Sequence, residues 1–192
     1  MHKRLLLSLS TAFCLLPCLI QAAERNPVEE VTPENWERHP RIVEVRKLYN
    51  EIQSLHAQKK LKDQKKDYTP LPRSCRGTYP MEYLVLAEAA EGRVRLHTTA
   101  QRISHDDLLT TQYYYDTKGT LRFAYITNKS SEYATIEYRV YLTDQGKVFW
   151  DTRTEAKKTT FGETTNEPWM VRIVTATQAR KEFNEAEVKC KN

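Results

Sequence analysis

Glycine is scarce, five in 192 residues and no two adjacent, so a loop that cradles phosphate through consecutive backbone amides is not expected. The P-loop, the dinucleotide fingerprint, the G-x-S-x-G elbow and H-E-x-x-H are all missing from the sequence. Long apolar runs are missing after the first twenty or so residues, so no later transmembrane helix is expected. Cysteine is sparse too. Cys14 and Cys18 lie in the opening segment, and the remaining pair, Cys75 and Cys190, is far too widely spaced for a C-x-x-C redox site or a metal knuckle. No cofactor and no metal is implied. The formal charge of +5 is small for the length and gives no reason to expect nucleic acid as a partner.

What is present first is an address. His2, Lys3 and Arg4 precede an apolar stretch from Leu5 to Ile20, interrupted by Pro17 and followed by the small residues Ala22 and Ala23. This order is that of a cleavable secretory signal over residues 1–23, and the stretch is too short and interrupted to serve well as a membrane span. Lipidation would need a small residue before Cys14 or Cys18, where Phe13 and Pro17 stand instead. The mature chain of about 169 residues is then expected in the periplasm or outside the cell, with a charge lowered from +5 to +3 by loss of Lys3 and Arg4. In an oxidising compartment Cys75 and Cys190 are expected to form a disulfide. In the chain-entropy model the long loop it closes is worth about 4 to 5 kcal/mol.

Residues 24–39 read as an arm, with a short helix through Trp36 begun by Thr32 and Pro33 and stopped at His39 by Pro40. Residues 40–192 read as a single α+β domain. Ile42, Val45, Leu48, Tyr49, Ile52 and Leu55 recur at helical spacing, and Lys59, Lys60, Lys62, Lys65 and Lys66 are taken as the basic end of that helix. Such an end is a solvated last turn or a site for an anionic surface. After a proline-containing loop the period changes to two. Strands are expected over 81–90, 93–98, 154–161 and 169–174, and a short C-terminal helix capped by Thr175 or Thr177 presents Ala179, Phe183, Ala186 and Cys190.

Between these lies an internal echo. Tyr113, Tyr114, Tyr115, Asp116, Gly119, Leu121 and Phe123 are matched by Val140, Tyr141, Leu142, Thr143, Gly146, Val148 and Trp150. Each half reads as a hairpin whose three-residue loop ends in a left-handed glycine, with Asp116 facing Thr120 and Thr143 facing Lys147. Simple alternation then puts Tyr113, Tyr115, Leu121, Phe123, Tyr125, Ile136, Tyr138, Val140, Leu142, Val148 and Trp150 on a core face. Tyr114, Arg122, Glu137, Arg139, Tyr141, Phe149, Asp151 and Arg153 fall on the other, with Arg139 opposite Asp151 and Glu137 opposite Arg153. The expected fold is an N-terminal helix on a twisted antiparallel meander of five to seven strands, closed by the C-terminal helix.

Tyr114, Arg122, Arg139, Tyr141 and Phe149 would make an aromatic and arginine surface of the kind enriched at interfaces, unless a helix or loop covers them. The leading expectation is therefore a non-catalytic binding protein that engages a protein partner through one sheet face, as inhibitors and immunity proteins do. A carrier would instead hold an apolar ligand between the first helix, at Ile42, Val45 and Tyr49, and the sheet. An exported hydrolase would need His97, His105, Asp106 and Asp107 to converge, although a polar turn between strands explains the last three more simply. Asn128, Lys129 and Ser130 spell a glycosylation acceptor.

Overall fold

His39 and Pro40 start the first helix together. The proline sits in the first turn, where its missing N–H costs nothing, and His39 Nδ1 accepts from the Arg41 amide at 3.3 Å. In this computed structural model, which describes residues 29–68, 81–104, 106–162 and 174–186, the helix α1 runs Pro40–Ala57. Residues 33–38 before it form tight turns, anchored where the Thr32 amide donates to the Asn35 side chain at 2.9 Å, and not a helix. Ile42, Val45 and Ile52 are buried along α1, each worth about 1.5–3 kcal/mol relative to exposure.

The chain leaves α1 through Lys59, at a φ of 55°, and enters a strand where the sequence pointed to more helix. The strands are β1 (Lys62–Asp67), β2 (Met81–Glu88), β3 (Val94–Arg102), β4 (Asp107–Tyr115), β5 (Leu121–Ser130), β6 (Ile136–Leu142), β7 (Val148–Glu155) and β8 (Lys158–Phe161). They form one antiparallel sheet in sequence order, followed by α2 (Ala176–Glu185), so the class is α+β with eight strands in place of five to seven. Two strands escaped the pattern. Lys62, Lys65 and Lys66 belong to the edge strand β1, where positive charge discourages pairing with another chain, and the expected strand over 154–161 is broken by a tight turn with both Ala156 and Lys157 at positive φ. The expected strand over 169–173 and the residues Cys75, His105 and Cys190 lie outside the described residues.

Three hairpin turns, not two, share one construction. Ala89, Asp116 and Thr143 each donate their amide to the carbonyl of the residue four positions on, Arg93, Thr120 and Lys147, and accept from Gly92, Gly119 and Gly146. The glycines follow one another at a constant 27 residues with φ of 78°, 81° and 75°. In each copy the next strand then carries one unpaired residue. Arg95, Arg122 and Phe149 are the bulges between the pairs Glu88–Val94 and Ala87–Leu96, Tyr115–Leu121 and Tyr114–Phe123, and Leu142–Val148 and Tyr141–Trp150.

That extra residue exchanges faces for everything beyond it. Phe123, Tyr125 and Trp150 therefore join Tyr114 and Tyr141 on the side that meets α1, not the side of Tyr113 and Tyr115. Arg139 stands opposite Thr152 and not Asp151. Glu137 stands opposite Thr154 and not Arg153, which pairs with Tyr138. Strict alternation gave the wrong register here because it had no place for the bulge.

Both faces consequently carry a core. Leu84, Leu86, Val94, Tyr113, Tyr115, Leu121, Ala124, Val140 and Leu142 pack with Ala179 and Phe183 of α2. On the opposite face Ala87, Leu96, Tyr114, Phe123 and Tyr141 pack with Ile42, Val45 and Ile52 of α1. Thr175 caps α2 with a reciprocal box, accepting from the Gln178 amide at 3.2 Å while Gln178 Oε1 accepts from the Thr175 amide at 2.8 Å. The helix is seated on the turns: the Ala176 amide donates to Gly119 O at 3.1 Å, and Arg180 donates to Gly92 O and pairs with Glu88 at 2.6 Å. At its other end the Lys66 ammonium donates to the Asn184 and Ala186 carbonyls.

Candidate binding groove

The bulges fix where α1 lies. Each bulged arginine makes the same two bonds: Arg95 Nε donates to Tyr115 O at 3.1 Å and Arg122 Nε to Leu142 O at 3.3 Å, while their Nη2 atoms reach Glu51 and Glu44 of α1, each at 3.0 Å. In the third copy Phe149 takes the guanidinium of Arg41 over its ring, 3.9 Å from the centroid. All three bulges thus hold α1 across the end of the sheet nearest the glycine turns. The rest of that face is left uncovered by α1.

Of the residues expected to form a binding surface, Tyr114, Arg122, Arg139, Tyr141 and Phe149 do share one face, the one α1 occupies. Tyr114 and Tyr141 are fully buried beneath the helix, and Arg122 is engaged with Glu44. The Tyr114 hydroxyl accepts from Gln53 of α1 at 2.6 Å and donates to Gln112 at 3.0 Å, and burial pushes its pKa well above the ordinary tyrosine range. Arg139 and Phe149 stay partly exposed.

Beyond the helix two grooves open side by side. The first, of about 550 Å³, has Arg46, Tyr49 and Asn50 of α1 and the preceding Trp36 and Glu37 as one wall, Phe123, Tyr125, Arg139 and Tyr141 as floor, and Thr154 and Thr159 opposite. Its volume falls in the range of ligand sites. The second, of about 460 Å³, shares Tyr125 and continues over Gln112, Thr110, Thr127, Lys129 and Glu137 to Tyr83. From Thr159 on β8 to Tyr83 on β2 is six strand spacings, roughly 29 Å around the sheet.

Where the two grooves meet, Arg139 donates to Glu137 at 2.8 Å and lies over the Tyr125 ring. Burial, followed by the Glu137 carboxylate, pushes the Tyr125 phenol up to about 12. Tyr49 meets Tyr114 and Phe123 edge-on with centroids 5.0 and 5.4 Å apart, and Phe123 meets Tyr141 at 5.1 Å. Arg46 lies over the Trp36 ring and donates to the Glu37 carbonyl at 2.9 Å.

Sequence reasoning did not single out Trp36, Arg46, Asn50, Thr154 or Thr159. One signal was available: Arg46, Asn50 and Gln53 fall at helical spacing along one flank of the apolar stripe.

Among the described residues, His97 is not brought together with Asp106 and Asp107. His97 is buried at mid-strand, stacked on Tyr113 with neither ring nitrogen hydrogen-bonded among the described residues, and burial lowers its pKa to about 4. Asp107 begins β4, six residues from the partner of His97, or roughly 20 Å along the strand. Ser104 bonds the Asp106 and Asp107 amides, and the hydroxyls of Ser130 and then Ser104 hold the Asp107 carboxyl below the usual range, as in a polar turn. No group of three His, Cys, Asp or Glu side chains able to hold a metal occurs among the described residues. Ile42 and Val45 are buried against the sheet, whereas Tyr49, the third residue of the expected carrier site, lines the first groove, and no described helix is long and apolar enough to cross a membrane.

The chain matches no family model, no curated protein and no solved structure. Its function is therefore argued from the groove alone.

Proposed function

We propose that this chain is an exported, non-catalytic binding protein that meets a protein partner with the half of its sheet face that α1 leaves open. The observation that carries this reading is the double groove, in which Trp36, Tyr49, Tyr125, Arg46 and Arg139 converge beside a row of threonines. Tryptophan, tyrosine and arginine dominate interface energetics because they combine large apolar area with a polar or charged end. The arginine, asparagine and threonine side chains among the aromatics of the groove favour this reading over a carrier of an apolar ligand.

Export rests on the opening segment and on the cysteine pair. The mature protein, denatured without reductant, is expected to show no free thiol.

Capture from an extract of the cell envelope tests the binding reading. The wild-type chain and a control altered on α2, Lys181→Glu, are expected to retain a species that Thr127→Arg, which fills the groove junction, loses. Retention of the same species by all three, or of none by the wild type, would overturn the proposal.

A further inference from the structure

Charge is distributed unequally on the two sides of α1. On the turn side, Arg95 and Arg122 each have a helix glutamate at 3.0 Å. On the groove side Arg46 has no carboxylate within ion-pair distance among the described residues, and its contact with Glu37 is to the main-chain oxygen. Stacking on Trp36 and that one bond fix the guanidinium while leaving further N–H groups uncommitted. Arg139, on the floor of the same groove, uses Nη2 for Glu137 and keeps its other donors. The same groove is lined by the packed aromatic rings of Tyr49, Phe123 and Tyr141.

A fixed, uncompensated guanidinium next to an apolar wall is complementary to one kind of protein feature. Resting on the binding function proposed above, we infer that the partner inserts a carboxylate side chain adjacent to a bulky apolar one, the acid pairing with Arg46 and Arg139 and the apolar group lying on Tyr49 and Phe123. Arginine suits this role because its planar fork donates to both carboxylate oxygens, and a position beside aromatic rings limits the water that would screen the pair. Lys129, at the far end of the second groove, also has no carboxylate partner among the described residues, so Arg46, Arg139 and Lys129 outnumber the carboxylates Glu37 and Glu137 in the lining of the two grooves.

The test uses the full chain and two probes, the blocked dipeptides acetyl-Phe-Glu-amide and acetyl-Phe-Gln-amide, followed by nuclear magnetic resonance of the Trp36 indole and Arg46 side-chain N–H signals. The glutamate peptide is expected to give saturable shifts at millimolar concentration and to bind about tenfold more tightly than the glutamine peptide. Arg46→Gln, with its spectrum otherwise dispersed as in the wild type, is expected to erase that difference, and Arg46→Lys to keep part of it. Equal binding of the two probes, or no saturable shift from either, would overturn the inference. Envelope capture that Thr127→Arg abolishes but Arg46→Gln leaves intact would also overturn it, while leaving the groove as the docking face.

Discussion

Replacing the three turn glycines by alanine tests the repeated construction from which the placement of α1 follows. Gly92, Gly119 and Gly146 have nearly the same φ, so the left-handed strain of an L residue, about 1 to 2 kcal/mol, is common to all three. Stiffening of the unfolded chain offsets part of it, leaving about 1 kcal/mol. The surroundings then separate them. A Cβ at position 92 meets nothing within 4 Å, and at 146 it comes to 3.8 Å from Thr120 Cγ2, an ordinary contact. At 119 it comes to 3.2 Å from the Ala176 Cβ, in the first turn of α2, beside the bond from the Ala176 amide to Gly119 O.

Gly119→Ala must therefore push α2 away as well as strain the turn, and a weakened backbone bond adds about 1 kcal/mol. The expected losses are about 1 kcal/mol for Gly92→Ala and Gly146→Ala and about 2 to 3 kcal/mol for Gly119→Ala. Urea unfolding at constant m-value reads them directly. Adding Ala176→Gly to Gly119→Ala should recover the excess but not the shared strain, a coupling that the double-mutant cycle isolates. Equal losses at the three sites would refute the docking of α2 on the second turn. No loss at any of them would refute the turn geometry.

Other perturbations address single elements. Arg95→Met removes a guanidinium that is 6 % exposed and leaves Tyr115 O without its donor, so it should cost about 2 kcal/mol, whereas Glu51→Gln, at a carboxylate 51 % exposed, should cost under about 1. Equal effects would contradict the backbone role of the bulge arginine. His97 is held neutral in the fold, with its pKa lowered from 6.5 to about 4, so the unfolded chain binds the extra proton first as pH falls. Stability should fall progressively below pH 6.5, by up to about 3 kcal/mol near pH 4, and His97→Phe should flatten that part of the urea-measured profile. Glu137→Gln should move the Tyr125 phenol from about 12 toward the ordinary value of 10, seen by ultraviolet titration, but only partway because burial is the larger cause.

Local chemistry was legible in the residues and long-range bookkeeping was not. The stripe from Ile42 to Leu55, the turns at Asp116 and Thr143 and the cap at Thr175 all stand where spacing and side-chain chemistry put them. The third turn was harder to see, since Ala89 in place of Asp116 or Thr143 removes the side-chain acceptor that marks the other two. The bulges were invisible because Phe149 does not carry the chemistry that Arg95 and Arg122 have in common, so no residue type marks all three. They share only a backbone position, and each shifts the facing of the residues that follow. The lysines of β1 misled for another reason: cations suit both the end of a helix and the edge of a sheet, and only the pairing with β2 decides between them. The five surface candidates were correctly grouped on one face, but sequence could not say that α1 would bury Tyr114 and Tyr141 and leave the groove to Trp36, Arg46, Tyr49 and Tyr125.

We propose the uncovered half of the α1 face as the place where this protein meets its partner. Photo-activated side chains placed singly at Thr159 and Thr110 in the grooves, at Gln145 on the turn side of α1 and at Gln178 on α2 measure this most directly in whole cells. A single shared adduct from Thr159 and Thr110, with none from Gln145 or Gln178, is the expected pattern. Adducts from Gln145 or Gln178 with silence in the grooves would contradict it.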